Sequence, residues 1–148
     1  MTRFAPVYHA FGIIVMLFGL TLLAPLALSY AAEDGAQTAY DEAFALTMLS
    51  GAYLWYRYRR GKRDLQIREG FLLVALVWTG LPAFAALPFV LQVGISYQHA
   101  YFEAVAGLTA TGATVMVGLD SLPMSINLWR HLTMWLGGMG LIVLAVAI

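Results

Sequence analysis

The sequence predicts an all-α membrane protein, with two leading transmembrane helices followed by one helix–re-entrant pore loop–helix repeat. Three observations carry that prediction. Of 148 residues, 61% are hydrophobic and only 11% charged, against roughly a quarter charged in soluble domains, and the mean hydropathy is +0.78. Apolar runs of the length a bilayer core demands, about 20 residues, recur along the chain between short polar turns. Between the last two of them lies AYFEAVAGLTATGATVMV, residues 100–117, which reads neither as an ordinary membrane helix nor as a soluble core element.

Composition also narrows the function. Eight basic residues balance eight acidic ones, so bulk attraction to nucleic acid has no support. Without cysteine there is no disulfide framework and no thiolate metal site, and the redox compartment is not readable.

The first span covers residues 7–30, apolar apart from His9 and a few hydroxyls, with Pro25 expected to bend or end it. A secretory signal is the competing reading, since Arg3 precedes the run and Ala31 and Ala32 follow it. The run is longer than the roughly 7–15 residues of a signal core, and a second apolar segment comes soon after. An acidic turn at residues 33–37 leads to the second span, residues 41–58, which ends in the aromatic belt Trp55, Tyr56 and Tyr58. Next comes the one charge-rich stretch, where Arg57, Arg59, Arg60, Lys62, Arg63 and Arg68 supply six of the eight basic residues. It reads as a topology signal, with lipid or nucleic-acid recognition as the alternative. The third span covers residues 70–93, interrupted by Pro82 and Pro88, with Trp78 near its middle. Residues 119–123 form an outer turn, and the last span covers residues 129–148.

Residues 101–106 form a good short helix, but residues 108–115 are small, β-branched or glycine and poor at continuing one. Gly112 permits backbone conformations closed to other residues. Irregular backbone survives at membrane depth only where protein buries it or where it lines a wet cavity. In the second case its carbonyls replace the water around a dehydrated cation, and the helix points its negative end at that ion.

Among the charged residues, Glu103 is either an anchor for the loop or an interfacial residue facing outer water. Asp120 either adds negative potential at an outer mouth or merely makes a turn. Arg130 either pairs with one of these acids or snorkels to the interface. Gly137, Gly138 and Gly140 mark tight packing or a flexible point, and Gly12 and Gly19 are packing glycines. Gly107 is taken to end the pore helix, so that alanine would be tolerated there. His9, His99 and His131 have no metal-ligand spacing, and no nucleotide loop or catalytic constellation is present. The chain is not expected to be an enzyme.

From Thr109 onward, TATGATVMVGLDSLPMSINLWRHLTMWLGGMGLIVLAVAI resembles the first pore repeat of the TrkH-type potassium uptake proteins, in the wider Trk/Ktr/HKT superfamily. The matching pieces are Thr111-Gly112-Ala113-Thr114, Gly118-Leu119-Asp120 with Leu122-Pro123, and Trp135-Leu136-Gly137-Gly138-Met139-Gly140. The likeness spans the chain, weakly before Gly70 and strongly after Phe102. One departure is Ala110, where relatives commonly carry threonine; a filter would use only the carbonyl there.

The resemblance implies the N-terminal portion of a potassium transporter, supplying one of four filter segments around a central pore. Residues 1–68 are then the two N-terminal helices and basic loop, and residues 69–148 the first repeat, truncated at its end. The ion would meet the carbonyls of Ala110, Thr111, Gly112 and Ala113, with Glu103, Thr109 and Thr114 supporting the loop. No cofactor is expected beyond the transported K⁺. The partners implied are the other three repeats, a membrane homodimer, a cytosolic TrkA-type nucleotide-binding regulatory subunit and the lipid bilayer. The location implied is the bacterial inner membrane. The apolar run reaches Ile148 without a basic flank, so the chain is expected to continue. A non-transporting scaffold or assembly subunit and a small homotetrameric cation channel are the alternatives. A helical, lipid-facing segment over residues 109–114 would favour the scaffold.

The basic cluster sets the orientation: cytoplasmic loop, cytoplasmic N-terminus, acidic turn and pore loop outside. A reporter fused after Arg63 is expected to read cytoplasmic, and one near Gly35 or Asp120 external. An external signal at Arg63 would invert every placement above.

Overall fold

The computed structural model describes residues 4–59 and 65–147. Arg3, residues 60–64 of the basic cluster and Ile148, all used in the expectations above, lie outside the described residues. Among the described residues all regular structure is helical. Helices α1 (Ala5–Thr21) and α2 (Leu23–Ala32) form one apolar rod with a break at Leu22. The break falls three residues before Pro25, and the reason is local. Pro25 has no N–H for the carbonyl of Thr21 and its ring crowds that carbonyl, while the Leu22 amide turns to Gly19 at 3.1 Å. The rod then continues to Ala32 instead of ending at the proline.

Helix α3 (Gln37–Tyr58) starts four residues ahead of the expected Asp41. Asp34 is the cause: its Oδ1 accepts the Ala36 amide at 3.1 Å, and the Ala36 carbonyl takes the Tyr40 amide at 3.1 Å. Helices α1 and α3 meet through glycines. A Cβ on Gly12 would lie 2.7 Å from the Trp55 nitrogen, and one on Gly51 2.9 Å from the Gly12 oxygen. Such approach replaces hydrophobic driving force as the source of packing energy inside a bilayer. At one end of this pair the rings of Tyr8 and Tyr58 lie 5.1 Å apart.

Helix α4 (Ile67–Ala85) opens with a capping box in which Gln66 and Glu69 satisfy each other's backbone amides. Its apolar length extends through a π-helical turn, Phe89–Val93, so that Ile67–Val93 is 27 residues long. At about 1.5 Å per residue this is roughly 40 Å, enough to cross a hydrocarbon core of about 30 Å. Helix α5 (Tyr97–Leu108) has 12 residues, roughly 18 Å, and cannot cross. It enters and the chain turns back.

A short 3₁₀ turn at Leu119–Ser121 precedes helix α6 (Met124–Ala147), which begins five residues before the expected Trp129. Pro123 is excluded as an interior residue but suits a helix entry, and its carbonyl accepts the Ile126 amide at 3.0 Å. Asp34 contributes here as well. Its Oδ2 takes the Ser125 amide at 2.9 Å across 91 residues of chain, and its Oδ1 takes the Ser29 hydroxyl at 2.5 Å. Burial works against the Asp34 charge, but the bonds from Ser125 and Ser29 outweigh it and lower its pKa below the ordinary carboxylate value. The turn between α2 and α3 is thus pinned to the start of α6.

One buried cluster joins these elements, including Phe18 and Leu22 of the first rod, Tyr40, Phe89, Ala104, Leu108 and Ile126, with Trp129 among the fully buried members. The Trp129 indole donates to the Ala85 carbonyl at 2.9 Å, just before the π-helical turn. The Tyr40 hydroxyl donates to the Ser125 carbonyl at 2.9 Å.

Candidate functional site

Helix α5 is seated before its loop is reached. The Ser96 hydroxyl caps its first turn by accepting the His99 amide at 3.4 Å. The Tyr101 hydroxyl donates to Thr79 at 2.9 Å and that of Tyr97 to Ala83 at 3.2 Å, both carbonyls of α4. These bonds dock the short helix on the long one.

The helix ends in a Schellman motif. The Thr111 amide bonds the Ala106 carbonyl at 2.9 Å, and the Ala110 amide bonds that of Gly107 at 2.8 Å. The left-handed residue such a motif requires is Ala110, with φ of 56°, where an L-residue costs about 1–2 kcal/mol. Gly112 follows with φ of 73°, and its amide shares the Ala106 carbonyl at 3.1 Å. Two left-handed residues separated by one turn the backbone out of the helix, and residues 111–116 then have no regular structure. The Thr109 hydroxyl donates to Val105 at 2.7 Å and lies 2.8 Å from that of Thr111. The irregular loop expected over residues 109–114 is therefore present, and a helical segment is not.

The irregular segment after Gly112 hangs from one side chain. Glu103 is buried, at 4% exposure. Its Oε1 accepts the Thr114 hydroxyl at 2.5 Å, the Val115 amide at 2.6 Å and the Met116 amide at 3.2 Å. Its Oε2 lies 3.5 Å from Nε of Arg130, itself buried on α6. Of the two readings left open, Glu103 is thus the anchor, and Arg130 pairs inward instead of snorkelling. A buried carboxylate is tolerable only when paired and hydrogen-bonded, and here the partners are the loop it holds and the helix behind. Asp120 is exposed and makes no recorded bond to this group.

The same face of α5 continues its contact with α6 through small residues. A Cβ on Gly107 would come 2.5 Å from Oγ1 of Thr133, which is held by its bond to the Arg130 carbonyl at 2.7 Å. A Cβ on Gly137 would collide with the Leu108 carbonyl. Glu103–Arg130, Gly107–Thr133 and Leu108–Gly137 thus form a ladder with one contact per turn of α6. Two expectations change accordingly. Gly107 does not merely end the helix: it is a buried packing residue in the last turn. Of the three glycines in α6, only Gly137 packs tightly, because Gly138 and Gly140 have nothing within 4 Å of an added Cβ.

The proposed ion-facing residues Ala110, Thr111, Gly112 and Ala113 are all exposed along the loop, as are Thr109 and Thr114. A Cβ at Gly112 would meet only Met134, at 3.9 Å. The demand for glycine there, within this chain, comes from backbone conformation and not from crowding. Asp34, Tyr40 and Thr133 had no signal in the sequence, since their partners lie far along the chain. The Asp34-Gly35 pair reads only as a turn.

Comparison with known proteins agrees with this geometry. The TrkH family model, described as a cation transport protein, matches residues 37–148. The chain is 44% identical, over 148 residues, to the Trk system potassium uptake protein TrkH of Salmonella typhimurium, covering 99% of this chain and 31% of that protein. It is 30% identical over 144 residues to the Trk system potassium uptake protein TrkG of Escherichia coli, covering 96% of this chain and 30% of that one. The fold is similar to the crystal structure of the potassium transporter TrkH from Vibrio parahaemolyticus, with a TM-score of 0.92 at 42% identity, over 99% of this chain and 32% of that chain. The chain therefore spans about a third of the length of these relatives, and its fold is that of an all-α membrane protein.

The ladder makes a stability prediction. Glu103→Gln and Arg130→Met should each destabilise the protein by about 3 kcal/mol, since each leaves a buried partner unpaired. The double variant should lose clearly less than the sum. Gly107→Ala should be damaging and largely restored by Thr133→Ala. Thermal unfolding in detergent checks both; additive losses, or a neutral Gly107→Ala, would contradict the ladder.

Proposed function

The chain belongs to the TrkH family of cation transport proteins, and from that premise we propose that it is the N-terminal portion of a potassium uptake transporter. In this reading it supplies one of four filter segments around a central pore. Residues 1–68 provide the two N-terminal helices and the basic loop, and residues 69–148 the first helix–pore loop–helix repeat. The carbonyls of Ala110, Thr111, Gly112 and Ala113 take the place of water around K⁺, and Glu103, Thr109 and Thr114 hold them in position.

The observation that carries this reading is the loop suspended from Glu103. A non-helical, exposed Thr/Gly backbone ends a helix too short to cross the bilayer, and its far limb is fixed by three bonds to one buried carboxylate. Carbonyl oxygens select an ion by replacing its hydration shell, and the bonds to Glu103 keep this loop in place to do so. The helix α5 C-terminus, with its negative dipole end, precedes the same residues. In this reading the protein acts as a transporter, as its TrkH relatives are named. K⁺ is cargo and not a resident cofactor.

One loop provides an arc of ligands, and a dehydrated ion requires ligands on all sides. The remaining three repeats are therefore proposed partners, as are a second copy of the protein in the membrane and a cytosolic TrkA-type regulatory subunit. The proposed setting is the bacterial inner membrane with the N-terminus cytoplasmic, following the basic residues around Arg57–Arg68.

Gly112→Ser is the direct test, made in the protein expressed in its native reading frame. Serine at a φ of 73° costs about 1–2 kcal/mol, so the loop should relax and the K⁺/Na⁺ preference should fall about tenfold. Ion competition in reconstituted vesicles reads this. Unchanged selectivity would mean that the loop does not line the pathway.

A further inference from the structure

A partly open cavity of about 300 Å³ lies between α1, α4, α6 and the end of α5. It is lined by Leu17 and Phe18 of α1, Trp78 and Leu81 of α4, Leu108 of α5, and Gly140 of α6, among others. We propose that it binds an acyl chain of a membrane phospholipid, and that the bound chain buttresses the last turn of the pore helix. No assigned role of the loop or of the potassium pathway requires this.

Three observations lead to that occupant. The lining offers almost no polar atom: the one hydroxyl, Thr21 Oγ1, is committed to the Phe18 carbonyl at 2.6 Å. Water needs two to four polar partners and a cation needs more, so an apolar space of this kind is not hydrated. It also does not stay empty at small cost, because the penalty for a void grows with its volume, and this one is about twice the roughly 150 Å³ that admits benzene.

The second observation is depth. Val77 and Leu81 lie 10 and 14 residues into α4 from Ile67, roughly 15–21 Å along the axis, which is near the middle of a hydrocarbon core of about 30 Å. The bilayer material at that depth is acyl chain. The third is continuity. Leu17 is both a wall of the cavity and 59% exposed, and Ile13 and Leu20 beside it are exposed apolar residues. The outer face of α1 therefore runs into the cavity without a polar barrier.

The space exists because side chains are missing where they would fill it. Gly140 has nothing within 4 Å of an added Cβ. Gly137, also in the lining, is pressed on the Leu108 carbonyl. Leu108 is the last residue of α5 and lies four positions before Gly112. A chain in the cavity therefore supports the backbone from which the loop departs.

The test uses a phosphatidylethanolamine carrying a photoactivatable diazirine in mid-chain. The protein, expressed in its native reading frame, is loaded in vesicles, purified into lipid-free detergent to strip annular lipid, and then irradiated. Label should be retained on peptides bearing Trp78–Leu81 and Leu136–Gly140 at about ten times the level on the peptide bearing the exposed Leu49. Gly140→Phe should abolish the cavity label while leaving labelling of Leu49 in intact vesicles unchanged. If that variant does not accumulate, Ile14→Phe, on the facing wall, is read the same way. Equal labelling of cavity and Leu49 peptides, or cavity label that persists in both filled variants, would overturn the proposal, and absence of label from the cavity peptides would overturn it in favour of filling by protein. The readout involves no transport, so failure of the potassium reading leaves it interpretable.

Discussion

The whole of the irregular loop after α5 depends on a buried carboxylate that cannot be left alone. Glu103 sits where an unpaired charge would be intolerable, and its two oxygens face opposite ways. One oxygen gathers Thr114, Val115 and Met116, and the other faces Arg130. Helix α5, the irregular segment after it and helix α6 are thereby made one unit. Each element alone would have reason to stray: α5 is short, the segment after it has no regular structure, and α6 carries three glycines. Their common obligation to satisfy one side chain removes that freedom.

Around this unit the molecule repeats one solution, close backbone approach followed by a few long-range polar bonds. Gly12 and Gly51 bring α1 onto α3, and Gly137 brings α6 onto the end of α5. Hydrophobic surface gives no preference between protein and lipid inside a bilayer, so shape and hydrogen bonding decide the arrangement. Asp34 and Tyr40 both reach Ser125, and Trp129 reaches the Ala85 carbonyl. The α2–α3 turn and α3 are thus keyed to the start of α6. The repeat is accordingly oriented by helices that contribute nothing to the loop itself.

Much of this was legible from residue types, because membrane burial writes its demands locally. Length and apolarity placed the first and third spans, the two that are long and apolar enough to cross a bilayer among the described residues, and the weak helix formers after Ala106 placed the loop. The boundaries moved wherever a cap or a proline decided them. Helix α3 starts early because of Asp34, α6 starts early after Pro123, and the first rod breaks at Leu22, ahead of Pro25. What stayed hidden was relational. Glu103 could be flagged as costly, but its choice of Arg130 over open water depends on how two helices pack. Gly107 looked like a terminator, because its neighbour Thr133 is 26 positions away. Ala110 gave no sign that it would take the left-handed place in a Schellman motif, where glycine is the usual residue.

The claim on which the account stands is that the carbonyls after that motif hold the ion. Anomalous diffraction from thallous ions, used in place of K⁺ in crystals of the protein expressed in its native reading frame, tests it directly. The account predicts a peak in contact with carbonyl oxygens of Ala110, Thr111, Gly112 and Ala113, with the Glu103 bonds intact. Thallium absent from the loop, or touching only the threonine side chains, would contradict it.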